Sequence, residues 1–165
     1  MSQARNLADL LNSSGKVTNA KLATPGTVLQ TLQFESNTTT SATSTTYVDT
    51  AVTLTITPSS TSNKILGIAV VGGISAASDI FVFTRVYNCT SSTVVSDIVR
   101  YDPRSLALLI QHASHTFLDS PSSTSPQTYV IQLASDRTAT SYFNRRDDSA
   151  SFNSNSSIIL MEIAA

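Results

Sequence analysis

Two histidines, one cysteine and a handful of aspartates are the residues of this chain whose chemistry reaches beyond packing. His112 and His115 stand three apart. On a strand that spacing sends their side chains to opposite faces, and on a helix to one face, where a metal would still need further ligands. Solvated or core-edge histidines are the expectation. Cys89 beside either histidine would supply the thiolate and base of a covalent mechanism, yet no glycine-flanked elbow presents it. A buried or inert thiol is expected there. Asp119, Asp147 and Asp148 would be the carboxylates of a glycoside hydrolase. Asp119 precedes Ser120-Pro121, where turn capping accounts for it, and Arg145-Arg146-Asp147-Asp148 reads as a charged turn between two strands. Gly72-Gly73 has neither the lysine nor the spacing of a phosphate-cradling loop.

These residues specify no catalytic residue, no metal ligand set and no cofactor, and a protein that works through its surface rather than as an enzyme is expected. Aromatic residues carry the most weight on such a surface. Tyr87, Tyr101, Tyr142 and Phe143 are candidates for stacking on sugar rings of a glycan or for other surface contact. The competing reading places them as half-buried packing residues or in a subunit contact. Asn12, Asn37, Asn88 and Asn155 each head an N-x-S/T triplet. A chain this rich in hydroxyls reaches that number by chance, so the triplets say nothing of secretion.

The elements that must position these residues are strands. From Thr46 to Thr57 every second residue (Val48, Thr50, Val52, Leu54, Ile56) is apolar or a small β-former, while Tyr47, Asp49, Thr53, Thr55 and Thr57 fill the other face. Pro58 to Asn63 then stops the run with turn-favouring residues, and a hairpin-like reversal into Ile65 is expected. Further strands are expected at Thr27–Glu35, Lys64–Gly72, Asp79–Asn88, Thr93–Tyr101, Gln127–Ala134, Thr138–Arg145 and Ser157–Ile163. Lys64–Gly72 is nearly all apolar, which predicts a central strand buried on both faces. In Asp79–Asn88 the row Phe81, Phe83, Arg85 and Tyr87 opposes the row Ile80, Val82 and Val86. Arg104 to Leu118 fits helix or strand over its first half, and strand over its second, where His115, Thr116 and Phe117 are weak helix formers. Eight or nine strands with turn clusters between them point to an all-β fold, an antiparallel β-sandwich of jelly-roll-like form. The last strand is expected to end the chain.

Ahead of the sandwich, Leu7, Leu10 and Leu11 fall at helical spacing, with Ser2 as an N-cap and Gly15 as a stop. A helix this short needs a partner to be stable. Residues 1–23 therefore read as a helical leader and linker, and 24–165 as the sandwich domain. Ser and Thr make up 50 of the 165 residues, charged residues are 13% and the net charge is -1. A hydroxyl-rich surface of that kind suits packing in an assembly or contact with neutral polar partners, and it lacks the basic footprint of a nucleic-acid binder. No segment approaches the roughly 18 apolar residues of a membrane span. The N-terminus lacks the apolar core of a secretory signal, so synthesis in a cytoplasm is expected.

Several segments in order carry a resemblance. They are Gly26-Thr27-Val28-Leu29-Gln30, Ile56-Thr57-Pro58 through Lys64-Ile65-Leu66, Thr116 through Pro121 followed by Gln127-Thr128-Tyr129-Val130, the pair Asn144-Arg145, and the ending Ser157 through Ile163. Together they resemble the β-sandwich modules of tailed-bacteriophage virion proteins, of the fibre-tip, head-fibre or capsid-decoration type common in marine phages. Ala4 through Gly15 is similar to the leaders that precede such modules. The resemblance implies a virion structural protein and a homotrimer. It also implies a leader that docks on other virion proteins through Leu7, Leu10 and Leu11, and an outward sandwich that serves assembly and contact with host-surface glycan. It carries no catalytic set. A shaft between leader and module is lacking, which favours a short head fibre, a decoration protein or a small fibre tip.

Overall fold

The computed structural model describes residues 24–77, 80–101 and 111–165. The expected leader helix with Leu7, Leu10 and Leu11 lies outside the described residues, as does the ambiguous stretch 104–110. The strands are β1 (Val28–Ser36), β2 (Thr40–Ala42), β3 (Val48–Ile56), β4 (Lys64–Ala76), β5 (Val82–Asn88), β6 (Thr93–Val94), β7 (Val99–Tyr101) and β8 (Gln111–Asp119). They continue as β9 (Gln127–Ser135), β10 (Ser141–Phe143), β11 (Arg145–Arg146), β12 (Ser149–Asn153) and β13 (Ser156–Ile163). No helix forms among the described residues.

Two antiparallel sheets face each other. The larger runs β1-β13-β4-β10-β2, with β8 also on β4; the smaller runs β3-β9-β5-β6, with β7 also on β5. Successive strands cross repeatedly between the two sheets, as from β3 to β4, β4 to β5, β8 to β9 and β9 to β10. This is the expected jelly-roll-like β-sandwich. Between the sheets lie Val52 and Ile56 of β3, Ile65 and Val71 of β4, Tyr129, Ile131 and Leu133 of β9, and Ile158 and Leu160 of β13, all buried. Alternation in β3 and β13 explains why these positions are apolar, since one face of each strand meets the opposite sheet.

Four expectations need correction. The turn after β3 reverses the chain, but it is no hairpin, because β3 and β4 belong to different sheets. Its cause is a long-range anchor. Glu162 of β13 accepts hydrogen bonds from Ser59 N at 2.6 Å, Ser59 Oγ at 2.7 Å and Asn63 Nδ2 at 2.6 Å, and so fastens the turn to the larger sheet. Burial on both faces of β4 holds from Val71 to Ala76 only, while Leu66 and Ile68 are half-buried and Val70 is exposed. The run Thr93–Tyr101 is broken into β6 and β7, and Thr138–Arg145 into β10 and β11. Between the last two stands Asn144 with φ of 60°, which no strand can carry. One strand has no counterpart among those expected: β2 forms inside a Ser/Thr tract without a strand pattern, held where Ser135 Oγ and Ser141 Oγ both donate to the carbonyl of Ala42.

Candidate functional site

Chemistry-bearing residues come first. His112 is exposed and His115 buried on β8, on opposite faces as strand geometry requires. His115 Nε2 lies 2.9 Å from Thr84 Oγ1, and its Nδ1 lies 3.2 Å from Ser96 Oγ. Burial holds its pKa below the ordinary histidine value, opposed by the main chain of Asp97. Ser96 Oγ is itself committed, accepting from Val86 N at 2.8 Å and donating to Asp97 O at 3.2 Å. The arrangement is a buried imidazole satisfied by two hydroxyls, not a serine activated by a base. No group of three or more His, Cys, Asp and Glu side chains converges among the described residues.

Cys89 is exposed, where a buried thiol was one expectation. Desolvation raises its pKa and the charge of Asp49 adds to this, so it stays largely in the unreactive thiol form. Asp119 caps its turn, accepting from Ser120 N at 2.8 Å, and also takes the hydroxyl of the buried Tyr129 at 2.8 Å and Asn88 Nδ2 at 3.1 Å. Burial raises the Tyr129 pKa far above its usual value, and the Asp119 carboxylate reinforces this. Arg145 to Asp148 form the expected charged reversal, the β11-β12 ribbon, with the Arg146 guanidinium on the Asp148 carboxylate.

Of the four aromatic candidates, Phe143 is 0% exposed and Tyr101 is buried, both within the core cluster. Tyr87 and Tyr142 are half-buried and reach solvent at separate places. Arg145 covers the Tyr142 ring at 4.3 Å. Tyr87 belongs to the outer face of the smaller sheet, where the row anticipated in β5 meets residues from β9 and the segment before β3. The Arg85 guanidinium lies 3.6 Å from the Tyr47 ring centroid and 5.5 Å from that of Tyr87. Its Nε donates to Gln132 Oε1 at 2.8 Å, and Gln132 Nε2 donates to Asp49 Oδ1 at 2.7 Å. Burial raises the Tyr47 pKa, partly countered by the Arg85 charge. This face is an ordered aromatic and cationic platform.

The outer face of the larger sheet is different. Register aligns Thr31, Met161, Leu66 and Leu118 in one row, then Gln33, Ile159, Ile68 and Thr116, then Glu35, Ser157, Val70 and Ser114. Leu118 is 57% exposed and Val70 43%, with Val28, 48% exposed, at the edge beside Ile163. Four strands about 4.8 Å apart and three rows about 6.8 Å apart make a footprint of about 400 Å², apolar at its centre. Six of the twelve positions are apolar, and the footprint falls within the range of about 300–600 Å² that the largest patch of a soluble monomer covers.

At the Glu35 end of this sheet is a polar cleft of about 400 Å³, lined by Glu35, Ser36, Asn37, Asn153, Ser154 and Asn155. Sequence reasoning did not bring these residues together, because they fall at the end of β1 and at the junction of β12 and β13, more than a hundred positions apart. Asn37 and Asn155 stood out there only as heads of N-x-S/T triplets.

The described residues form an antiparallel β-sandwich whose surface carries an apolar face, an aromatic and cationic platform and a polar cleft. No known family and no curated protein matches the chain. Among solved structures, VP2 in the subviral particle of infectious bursal disease virus is similar at a TM-score of 0.50 with 10% identity, over 82% of this chain and 33% of that chain. A protein of the disulfide-linked pili of Bacillus endospore appendages gives 0.37 with 8% identity, over 86% of this chain and 95% of that one. The C-terminal CBM6 of LamC, a marine laminarinase from Zobellia galactanivorans, gives 0.32 with 12% identity, over 79% and 98%. The chain spans about a third of the length of the viral protein, and the likeness is one of fold alone. No helix among the described residues is long and apolar enough to cross a membrane.

Proposed function

We propose that this protein is a virion structural module of the fibre-tip or capsid-decoration type in tailed bacteriophages, acting by assembly and host-surface adhesion rather than by catalysis. It resides in the virion as a homotrimer. Residues 1–23 dock it on other virion proteins through Leu7, Leu10 and Leu11, and the sandwich faces outward. The observation that carries this reading is the apolar outer face of the larger sheet, centred on Leu66, Ile68 and Ile159. Three copies meeting on it would bury surface that weak surface charge does little to keep soluble. The threefold state itself comes from the sequence resemblance, and the fold-level likeness to a viral particle protein supports the setting. A net charge of -1 gives nucleic acid no purchase.

Native mass by light scattering, on the full chain and on a chain beginning at Thr24, tests the assembly. Three chain masses are expected in both, falling to one in Leu66→Glu with its far-ultraviolet circular dichroism kept and its thermal midpoint lowered. Monomers in both wild-type forms would refute it. Absence of the chain from purified particles by mass spectrometry would defeat the virion assignment. A second reading, a carbohydrate-binding module that acts without trimeric assembly, is favoured by the polar cleft.

A further inference from the structure

We propose that the cleft lined by Glu35, Ser36, Asn37, Asn153, Ser154 and Asn155 is a binding site for a neutral saccharide, an inference that rests on the adhesive reading above. Its walls are set in advance by one buried residue. Asn144 stands fully buried with φ of 60°. Its Nδ2 donates to Ser36 O at 2.8 Å and to Thr38 O at 3.3 Å, fixing the first wall. Its Oδ1 accepts from Ser156 Oγ and its main-chain oxygen from Ser154 N at 3.2 Å, fixing the second. Asn144 N donates to Gly73 O at 2.8 Å, which ties the whole to β4. Gly72 completes the arrangement, since a Cβ there would stand 1.8 Å from Asn155 O. The second wall reaches β4 only because that position has no side chain. A site whose backbone is already held this way spends little ordering entropy on a ligand.

The lining chemistry selects the ligand class. Three amides offer a donor and an acceptor side by side, which matches a pair of neighbouring hydroxyls that each donate and accept. The Ser36 hydroxyl and the Glu35 carboxylate add to the set. Among the described residues no lysine or arginine lines the cleft, so a phosphate or sulfate finds no counter-charge there. A single carboxylate is a weak hold on a divalent cation, and no group of three or more His, Cys, Asp and Glu side chains converges among the described residues. A volume of about 400 Å³ falls within the range of small-ligand sites. What remains is an uncharged polyhydroxyl ligand.

The test uses the full chain against an array of neutral and acidic oligosaccharides, followed by titration with maltohexaose, cellohexaose and chitohexaose under NMR observation of the asparagine side-chain amides. Saturable binding to at least one neutral glycan is expected, insensitive to salt. It should weaken tenfold or more in Asn37→Ala and in Asn155→Ala, whose thermal midpoints and native masses stay at the wild-type values. Lack of binding to every neutral glycan overturns the proposal, as does binding only to acidic glycans or binding that both variants keep. Native mass is read on the same samples. A monomer that binds through the cleft sinks the trimer and leaves this site standing, whereas a trimer that does not bind sinks this site alone.

Discussion

Glu162→Gln should cost this fold about 2–3 kcal/mol, because the carboxylate is a junction that a neutral amide can fill only in part. Glu162 is 1% exposed in β13. One oxygen accepts from Ser59 N, Ser59 Oγ and Asn63 Nδ2, and the other from Gln30 Nε2 at 2.7 Å. A glutamine can keep its carbonyl toward the first three donors, and its NH₂ then opposes that of Gln30. Gln30 is not free to turn over, since the same Nε2 donates to Thr57 O at 2.8 Å. One charge-assisted bond is lost, about 1.5–3 kcal/mol, and the other three weaken. Removal of a buried charge offsets part of that weakening. Burial alone would raise the Glu162 pKa, but the bonds from Asn63, Ser59 and Gln30 outweigh it and hold the pKa below its ordinary value. A depressed folded-state pKa gives stability that is present above the unfolded value of about 4.3 and lost as pH falls through the folded one. Urea denaturation of wild type and Glu162→Gln, run at about pH 7 and stepwise down to about pH 3, reads both effects. The gap between the two proteins should be widest near neutrality and close in acid. A neutral-pH gap under about 1 kcal/mol, or one that does not narrow in acid, would refute the reasoning.

Two other positions test the interior. Gly67 pairs with Phe117 across β4 and β8, and a Cβ there would lie 2.0 Å from the ring. Gly67→Ala must therefore push Phe117 off its contact with Tyr129, whose ring centroid is 5.4 Å away, at a cost of about 1–3 kcal/mol. A thermal midpoint lower by about 5 °C and a changed near-ultraviolet circular dichroism signal are expected, and an unchanged midpoint would count against that packing. His115 has a lowered pKa from burial, so the unfolded chain takes up a proton that the folded one refuses. Stability should fall as pH drops through the unfolded value of about 6.5, and His115→Asn should remove that step from the urea midpoints between about pH 8 and pH 5.

How much of this could be read from the residues depends on range. The alternation of Val48 to Ile56, the aromatic row opposite Val82 and Val86, and the split of His112 from His115 are local consequences of strand period, and the structure keeps all three. What a strand pairs with is not local. Pro58 to Asn63 carries turn chemistry equally suited to a hairpin and to a crossing between sheets, and the choice is made by Glu162, some hundred residues away. The apolar run of β4 likewise shows that the strand is central without telling where its outer face lacks cover. The cleft was invisible for the same reason. Asn144 sat inside an expected strand, and the left-handed tolerance of asparagine is a faint signal until its distant partners are known.

The two outer faces of the sandwich differ in how their apolar residues meet water. On the smaller sheet, Val130 and Ala134 point outward yet are buried, because Arg85, Tyr87 and their neighbours fold across them and present polar ends to water. On the larger sheet no described residue performs that service. The rows through Leu66 and Ile68 are flanked by Thr31, Gln33, Thr116 and Ser114, whose short or neutral side chains border the apolar centre without covering it. Lys64 and Glu35 are confined to opposite ends, about 20 Å apart along the strands. A face kept free of charge at its centre and polar at its rim has the distribution of a subunit contact. If the larger sheet turns inward in an assembly, the platform of the smaller sheet is left facing out, and the cleft, beyond the Glu35 end, lies at the rim where a surface glycan can reach it.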